Sequence, residues 1–268
     1  MLPGMNGRTP DSSDNVSKEL RVHGGKWATA HGSYFSDPVK AGALLDKAVR
    51  IALRERPNVI ADIGGGTGFL LDLFRSRMNG WCPRLVDVDV SPEQLQVCAS
   101  RGLEPMLCSV LDVKREELAK DDEHLMLISR SVMHYFGRDG QDNFLQALRS
   151  VVRKGEYLVQ QPACFTTPEE VGCMNELYPI MGVDKFYLDP EDLQQAHERN
   201  GFEVMEMSLA PSLDLRSTDL AERYALGEPE LERMCETLRR FGLGQRYEVR
   251  DRHFRGPFTY RIVVARAI

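Results

Sequence analysis

The sequence Ala61-Asp62-Ile63-Gly64-Gly65-Gly66-Thr67-Gly68 decides the fold class of this 268-residue chain. It follows a short apolar run over residues 58–63 and precedes a helical pattern over residues 69–76. Glycine at such a junction lets the backbone turn sharply and pass close to a ligand, which a Cβ would block. The segment therefore predicts a strand, a bend and a helix, with a ligand held at the bend.

Strands and helices alternate on both sides of this bend, which predicts an α/β fold. Repeated strand–helix–strand units form a mostly parallel sheet with helices on both faces, and ligands bind at the carboxyl ends of its strands. The predicted strands cover residues 58–63, 84–90, 104–110, 124–129, 155–160, 202–209 and 258–265. The predicted helices cover residues 37–54, 69–76, 91–100, 139–153 and 189–200.

Two segments depart from the alternation. Residues 1–20 are polar and lack periodicity, so we expect residues 1–36 to form a mobile N-terminal segment and lid. Residues 37–268 are predicted to form one domain, with an insertion over about 212–257. Helical spacing predicts that the insertion is partly helical, with the apolar positions Leu231, Met234, Cys235 and Leu238.

The composition limits the classes of function. With 42% hydrophobic residues and 28% charged residues, the chain is typical of a globular protein. A net charge of −6 disfavours a nucleic-acid partner. The six cysteines form no C-x-x-C pair and no metal-site spacing, so we expect reduced thiols and no metal. No apolar run is long enough for a membrane span and no signal peptide is evident, so we expect no membrane association and a cytoplasmic location.

The glycine run distinguishes two kinds of nucleotide site. The dinucleotide fingerprint G-x-G-x-x-G would need glycine at position 69, where this chain has Phe69. The spacing Asp62-x-Gly64-x-Gly66-x-Gly68 instead resembles motif I of the class I S-adenosyl-L-methionine (SAM)-dependent methyltransferases.

The resemblance implies a three-layer Rossmann-like sandwich. Its sheet would be mostly parallel and seven-stranded, with an antiparallel last strand and a helical insertion before it. The cofactor would be S-adenosyl-L-methionine, and we expect the four motif residues to bind it: Asp62, Gly64, Gly66 and Gly68.

An acid follows one strand later. Asp89 ends the second predicted strand, and its two carboxylate oxygens suit the hydroxyls of a ribose. Asp87 is the alternative, although we expect it to point to the opposite face of the strand. The segment from Asp89 to Leu95, D-V-S-P-E-Q-L, resembles the second-strand segment of the same family. Asp89 and Val90 are therefore predicted to bind the cofactor.

The third strand ends at Cys108-Ser109-Val110-Leu111-Asp112. The family often has an acid where Ser109 stands, bonded to the adenine amino group, so Ser109 is a departure from the pattern. A hydroxyl accepts that bond more weakly than a carboxylate. We expect Ser109 and Val110 to contact the cofactor, with Asp112 as an alternative and a plain strand end as another.

The fourth strand leads into Arg130-Ser131-Val132-Met133-His134. The resemblance places Arg130 beneath the methionine part of the cofactor, where it could pair with the carboxylate. His134 is the candidate catalytic residue, since a neutral imidazole can take a proton from an acceptor hydroxyl or amine. A purely structural histidine is the alternative.

Two segments are candidates for the acceptor pocket. Residues 27–35 bring Trp27, His31, Tyr34 and Phe35 close together, and Tyr34 is predicted to contact the cofactor as part of a lid. Residues 164–187 are rich in Met, Phe and Tyr, which suits an apolar or aromatic acceptor. Core packing is the alternative for both. The arginine-rich residues 233–266 would hold an acceptor anion or form a solvated or subunit-contact face.

The sequence therefore predicts a methyltransferase that passes the methyl group of SAM to a small-molecule acceptor on O, N, C or S by in-line displacement. The alternatives are an NAD(P)-dependent oxidoreductase and a SAM-binding protein that acts on a macromolecule. A homodimer is a further option.

Overall fold

A seven-stranded sheet forms the centre of the computed structural model, which describes residues 33–268. Its strands are β1 (Val59–Ile63), β2 (Arg84–Asp89), β3 (Glu104–Leu107), β4 (Leu125–Arg130), β5 (Tyr157–Gln161), β6 (Phe202–Leu209) and β9 (Arg261–Ala267). The strand order is β3-β2-β1-β4-β5-β9-β6. Strands β1 to β5 pair in parallel, and β9 lies antiparallel between β5 and β6.

Helices cover both faces of this sheet. They are α1 (Pro38–Glu55), α2 (Phe69–Ser76), α3 (Pro92–Ser100), α4 (Arg115–Leu118), α5 (Gly137–Val151), α6 (Pro168–Ile180), α7 (Pro190–Arg199), α8 (Ser217–Tyr224) and α9 (Glu228–Arg240). One core cluster lies between the sheet and α1, α2 and α3, and another lies between the sheet and α4, α5 and α7. All residues of β1, β4 and β5 are buried, as expected for strands covered on both sides. The predicted three-layer Rossmann-like fold is confirmed.

Helix starts follow the capping signals in the sequence. The side chain of Asp37 accepts hydrogen bonds from Val39 and Lys40, and that of Asp189 accepts one from Asp192. Each cap is followed by proline at the first helical position, where its missing N–H costs nothing. None of the helices within residues 33–268 has the length and apolar character needed to cross a membrane.

The prediction of one last strand over residues 258–265 is wrong in its extent. The chain forms two strands there, β8 (Arg255–Phe258) and β9, and β8 pairs with β7 (Leu213–Arg216) in a separate two-stranded sheet. Phe258 packs in a third core cluster with α6 and α9, while Ile262 and Val264 pack against α1. The apolar alternation runs through both strands, so it gives no signal where the chain passes from one sheet to the other.

Candidate cofactor and acceptor site

A cavity of about 370 Å³ lies at the carboxyl ends of β1, β2 and β4. This is where ligands bind on parallel sheets, and the volume falls in the range of small-molecule pockets. The wall includes most of the residues that the sequence singled out for a cofactor: Asp62, Gly64, Gly66, Asp89, Val90, Ser109, Val110 and Arg130.

The bend between β1 and α2 forms one side of this cavity. Gly66 has a φ of +66°, a left-handed conformation that side chains rarely adopt. A Cβ at Gly66 would also collide with Oε1 of Gln94, which lines the same cavity. Gly68 lies behind the wall as the N-cap of α2, where a Cβ would lie 2.5 Å from Leu103. The left-handed backbone at Gly66 and Gly68 therefore favours glycine, and an added Cβ would force the side chain of Gln94 or Leu103 to shift.

Asp89 at the end of β2 is held by two backbone amides. Its Oδ2 accepts a hydrogen bond from the N–H of Gly66 at 3.0 Å, and its Oδ1 accepts one from Ser91 at 2.8 Å. Burial raises the pKa of Asp89, whereas these backbone hydrogen bonds lower it. The carboxylate is thus fixed at the cavity wall, and each oxygen has a further lone pair for a ligand hydroxyl.

Asp87 lies on the same face of β2 as Asp89, so the expectation that it faces away is wrong. Residues two apart on a strand share a face, and both acids approach the bend. A Cβ at Gly65 would lie 2.7 Å from Oδ1 of Asp87 and 2.7 Å from Oδ2 of Asp62. Asp87 is fully buried beneath the bend and is not part of the cavity wall.

Asp62 and Asp87 form a buried carboxyl pair under Gly65. They are partners in the register of β1 and β2, and both are 0% exposed. Burial raises the pKa of each, and the neighbouring carboxyl groups raise it further. Neither oxygen of Asp62 has a hydrogen-bond partner among the described residues, although Asp62 lines the cavity. The oxygens of Asp87 also have no partner among the described residues, but of the two acids only Asp62 lines the cavity, where a ligand could supply one.

The turn after β3 closes another side of the cavity. β3 ends at Leu107, earlier than predicted, and Ser109 and Val110 line the wall. The carbonyl of Ser109 accepts hydrogen bonds from the N–H groups of Asp112 and Val113, at 3.0 and 3.1 Å. Asp112, the alternative acid, therefore supports the turn and is not on the wall.

Arg130 lines the cavity but is engaged with the N-terminal turn. Its guanidinium donates to the carbonyls of Tyr34 and Phe35, both at 3.2 Å, and lies 5.0 and 5.5 Å from the centres of their rings. Phe35 and Ser36 thereby form part of the wall. Tyr34 is buried behind the wall, stacked on Tyr260 at 5.6 Å. Of the proposed lid, Trp27 and His31 lie outside the described residues.

His134 lines a second, smaller cavity of about 20 Å³. The two cavities adjoin, because Phe35, Ser131 and Tyr135 line both. His134 is 5% exposed, and its ring stacks on that of Tyr187 at 5.5 Å. The candidate base therefore lies next to the cofactor cavity but not in its wall.

Sequence reasoning missed several polar residues of these cavities, among them Gln94 and Lys185. The backbone N–H of Gln94 donates to Ser91 Oγ at 3.3 Å at the start of α3, and the Gln94 side chain lines the larger cavity. Lys185 lies on the wall of the smaller cavity, although it belongs to the segment predicted to be an apolar and aromatic acceptor pocket. No local pattern singles it out, because the rings next to its ammonium belong to Tyr135, Tyr178 and Tyr224.

Most of the arginines within residues 233–266 form ion pairs on the surface, and none of these arginines lines either cavity. Arg240 pairs with Glu176 and Arg246 with Glu170, which links this segment to α6. These ion pairs therefore help to hold the insertion against α6.

Comparison with known proteins identifies the type of domain. Residues 60–155, which carry the glycine bend and Asp89, match the family model described as a methyltransferase domain. No curated protein matches the chain.

Solved structures share the fold at low sequence identity. The YcgJ protein of Bacillus subtilis has a TM-score of 0.64 at 11% identity, covering 84% of this chain and 98% of that one. The Burkholderia thailandensis 1,6-didemethyltoxoflavin-N1-methyltransferase, solved with its acceptor and S-adenosylhomocysteine, has a TM-score of 0.54 at 13% identity, covering 100% and 93%. The magnesium protoporphyrin IX methyltransferase of Synechocystis PCC 6803, with S-adenosylhomocysteine, has a TM-score of 0.54 at 11% identity, covering 96% and 95%.

Proposed function

We propose that this chain is a class I SAM-dependent methyltransferase that methylates a small-molecule acceptor, a proposal supported by its matched domain and its fold. The observation that carries the proposal is the contact between Asp89 and the N–H of Gly66, which places a fixed carboxylate beside a bend without side chains. This is the arrangement that a nucleoside requires, because the sugar needs the acid and the rest of the ligand needs the space.

The residues present fit SAM. The larger cavity has the volume of a small-molecule pocket. A side chain at Gly66 would fill part of it, and Asp62 offers a buried carboxylate that has no partner among the described residues. The ammonium of a methionine group would satisfy that carboxylate.

Each wall of the cavity has a proposed role. Asp89 would accept the ribose hydroxyls, with the backbone at Val90 beside it. The turn at Ser109 and Val110 would face the adenine. Asp62 would hold the amino group, and Arg130 would keep Phe35 and Ser36 in place over the ligand rather than pair with its carboxylate.

Bound SAM supplies a methyl group that is already activated by the positive charge on its sulfur. The protein therefore has to align the acceptor and exclude water, and such positioning is worth roughly 7–11 kcal/mol in favourable cases. His134 is the proposed base where the acceptor carries a proton, since it lies in the adjoining cavity.

A small acceptor is favoured by the size of the second cavity, which is about 20 Å³. The related structures named above include enzymes for 1,6-didemethyltoxoflavin and magnesium protoporphyrin IX, both small molecules. Aromatic residues that line the second cavity, Phe35, Tyr178 and Tyr260 among them, suit an unsaturated or aromatic acceptor.

We further propose residues 37–268 as the catalytic domain, with β7, α8, α9 and β8 as the insertion on the acceptor side. Leu213, Arg223 and Phe258 from this insertion line the second cavity. The proposal of an N-terminal lid is supported by the position of Phe35 and Ser36, which close one side of the larger cavity.

Calorimetric titration with S-adenosylhomocysteine tests the proposed function, with NADH as the matched control. We expect one S-adenosylhomocysteine per chain and no heat from NADH. Binding of NADH without S-adenosylhomocysteine would overturn the proposal and favour the oxidoreductase.

A further inference from the structure

A pair of hydroxyl groups lies where the two cavities meet. Ser131 lines both cavities, and Tyr260 lines the second. The distance from Ser131 Oγ to Tyr260 Oη is 3.4 Å, and either hydroxyl can be the donor. Both residues are buried, with 6% of Ser131 and 2% of Tyr260 exposed. The pair is therefore a buried polar group at the boundary between the proposed cofactor cavity and the proposed acceptor cavity.

The hydrogen bonds of this pair leave one proton without an acceptor. Each hydroxyl has one proton to donate. Only one of the two protons can lie in the bond between Ser131 and Tyr260, and neither oxygen has another hydrogen bond to the residues that the structure describes. A buried donor without an acceptor is unfavourable, so the second proton calls for an acceptor atom in one of the cavities.

The hydroxyl of Tyr34 is close by but has its own partners. It donates to the carbonyl of Pro211 at 2.5 Å and accepts from Nε2 of Gln161 at 3.1 Å. Its ring stacks on that of Tyr260, with the ring centres 5.6 Å apart. Tyr34 therefore holds the ring of Tyr260 in place without supplying the missing acceptor.

The backbone of Ser131 has a conformation that costs stability. Its φ is +63°, in the left-handed region that side chains rarely adopt, and its N–H donates to the carbonyl of Gln161 at 2.9 Å. Of the six non-glycine residues with such a backbone within residues 33–268, Ser131 alone lines either cavity. Strain of this kind is concentrated at functional sites, which supports a role for the side chain of Ser131.

The size of the second cavity limits the group that the pair can hold. At about 20 Å³, the cavity has room for little more than one or two water-sized groups. A ligand hydroxyl fits this space, and it can accept the remaining proton of the pair as well as donate its own. A protonated amine cannot accept a proton, and a thiol is weak both as donor and as acceptor. A hydroxyl is therefore the group that complements the pair best.

We propose that Ser131 and Tyr260 bind a hydroxyl group of the methyl acceptor and that the acceptor is a phenol. The aromatic rings of Phe35 and Tyr178 on the wall of the second cavity suit the ring of such a ligand. This inference rests on the proposed function, because it names the class of acceptor for the same site.

The test compares para-fluorophenol with para-fluorotoluene, which have nearly the same shape but carry a hydroxyl and a methyl group, respectively. Each is titrated into the full-length protein saturated with S-adenosylhomocysteine, and binding is followed by fluorine NMR. We expect para-fluorophenol to bind at least about threefold more tightly, although it is the more polar molecule, because only its hydroxyl satisfies the pair.

Two variants remove one hydroxyl each. Ser131→Ala keeps the Cβ and the left-handed backbone, and Tyr260→Phe keeps the stacked ring. In each variant we expect the ratio of the two affinities to fall by at least about fivefold, through weaker binding of para-fluorophenol. A structural role alone would not change this ratio.

Ser33→Ala is the matched control. Ser33 is exposed, has a φ of +64° and lines neither cavity, so the same substitution is made in the same backbone conformation outside the site. This variant should keep the wild-type ratio. Cooperative thermal unfolding shows that each variant is folded.

The two proposals fail in different ways. If S-adenosylhomocysteine binds but para-fluorophenol does not bind at millimolar concentration, or binds no better than para-fluorotoluene, the phenol inference is wrong and the proposed function stands. If the wild-type ratio persists in both Ser131→Ala and Tyr260→Phe, the pair does not hold the hydroxyl and the inference is equally wrong. If S-adenosylhomocysteine itself does not bind, the proposed function fails and the inference fails with it.

Discussion

Oδ2 of Asp89 accepts a hydrogen bond from the backbone N–H of Gly66 at 3.0 Å. The contact joins the end of β2 to the bend after β1, and it therefore connects the two sequence motifs that resemble the methyltransferase family. The acid and the bend consequently form one rigid unit at the edge of the cavity. Disturbing either side should affect cofactor binding more than it affects the fold.

Gly66→Ala should greatly weaken SAM binding. The new Cβ would be in a left-handed conformation and would collide with Oε1 of Gln94 at the cavity wall. We expect an affinity loss of at least about tenfold, or roughly 1.4 kcal/mol, by calorimetry.

Gly80→Ala controls for the backbone strain alone. Gly80 has a φ of +75°, but no atom lies within 4 Å of an added Cβ. Both variants should lose a similar roughly 1–2 kcal/mol of stability from the left-handed conformation. Equal SAM affinities for Gly66→Ala and Gly80→Ala would mean that the bend is not part of the binding site.

Binding of SAM should release protons near neutral pH. Burial raises the pKa of Asp62 in the free protein, and the carboxyl must ionise to pair with a cationic amino group. The affinity should therefore rise from about pH 6 to about pH 8. Calorimetry in buffers of different ionisation enthalpy measures the released protons directly.

Asp62→Asn is the variant that checks this linkage. The amide cannot ionise, so the variant should bind SAM more weakly and with less proton release. Identical proton release in the two proteins would show that Asp62 does not contact the amino group.

Asp87→Asn should stabilise the protein at neutral and alkaline pH. Burial raises the pKa of Asp87 above its ordinary 3.8, so the folded chain retains a proton that the unfolded chain loses. The stabilisation that protonated Asp87 contributes to the wild type is therefore fully present below pH 3.8. It decreases above that pH and is lost as the pH rises through the raised pKa of Asp87 in the folded protein. Asparagine resembles the protonated acid and removes this loss.

The expected gain for Asp87→Asn is about 1–2 kcal/mol at pH 8, or roughly 2–8 °C in Tm. At about pH 4 the two proteins should unfold at similar temperatures. A variant that is less stable than the wild type at pH 8 would show that an ionised Asp87 is favourable under the bend.

Arg130→Lys should weaken SAM binding by about 1–2 kcal/mol. The guanidinium donates to the carbonyls of both Tyr34 and Phe35, and a lysine ammonium does not reproduce this planar fork. Arg138→Lys, at an exposed position over the ring of Phe186, is the control and should bind normally. Equal affinities would exclude the 34–36 turn from the site.

The fold could be predicted because local signals and long-range topology agree. Asp37, Ser91 and Asp189 each accept a bond from a helix N–H and precede a proline, so the helix starts were readable. The bend at Gly64–Gly68 fixed the position of the cavity, because the carboxyl ends of parallel strands meet at one edge.

The second cavity and the division of the last strand could not be predicted, because both depend on contacts between residues that are distant in the sequence. Tyr135, Lys185 and Arg223 come from three separate segments and meet at the second cavity, which no local pattern reveals. The division of the last strand at Phe258 was hidden for the same reason, since two different cores accept one continuous apolar alternation. The face on which Asp87 lies could have been predicted, because residues two apart on a strand share a face and Asp87 is therefore on the same face as Asp89.

The most direct test of the account is the affinity of Asp89→Ala for SAM, measured by calorimetry. The account predicts a loss of about 1–3 kcal/mol from the missing ribose hydrogen bonds. The control Asp121→Asn, at a fully exposed side chain, should bind as the wild type does. An Asp89→Ala protein that binds SAM as tightly as the wild type would contradict the central claim that the cofactor is bound jointly by this carboxylate and the bend at Gly66.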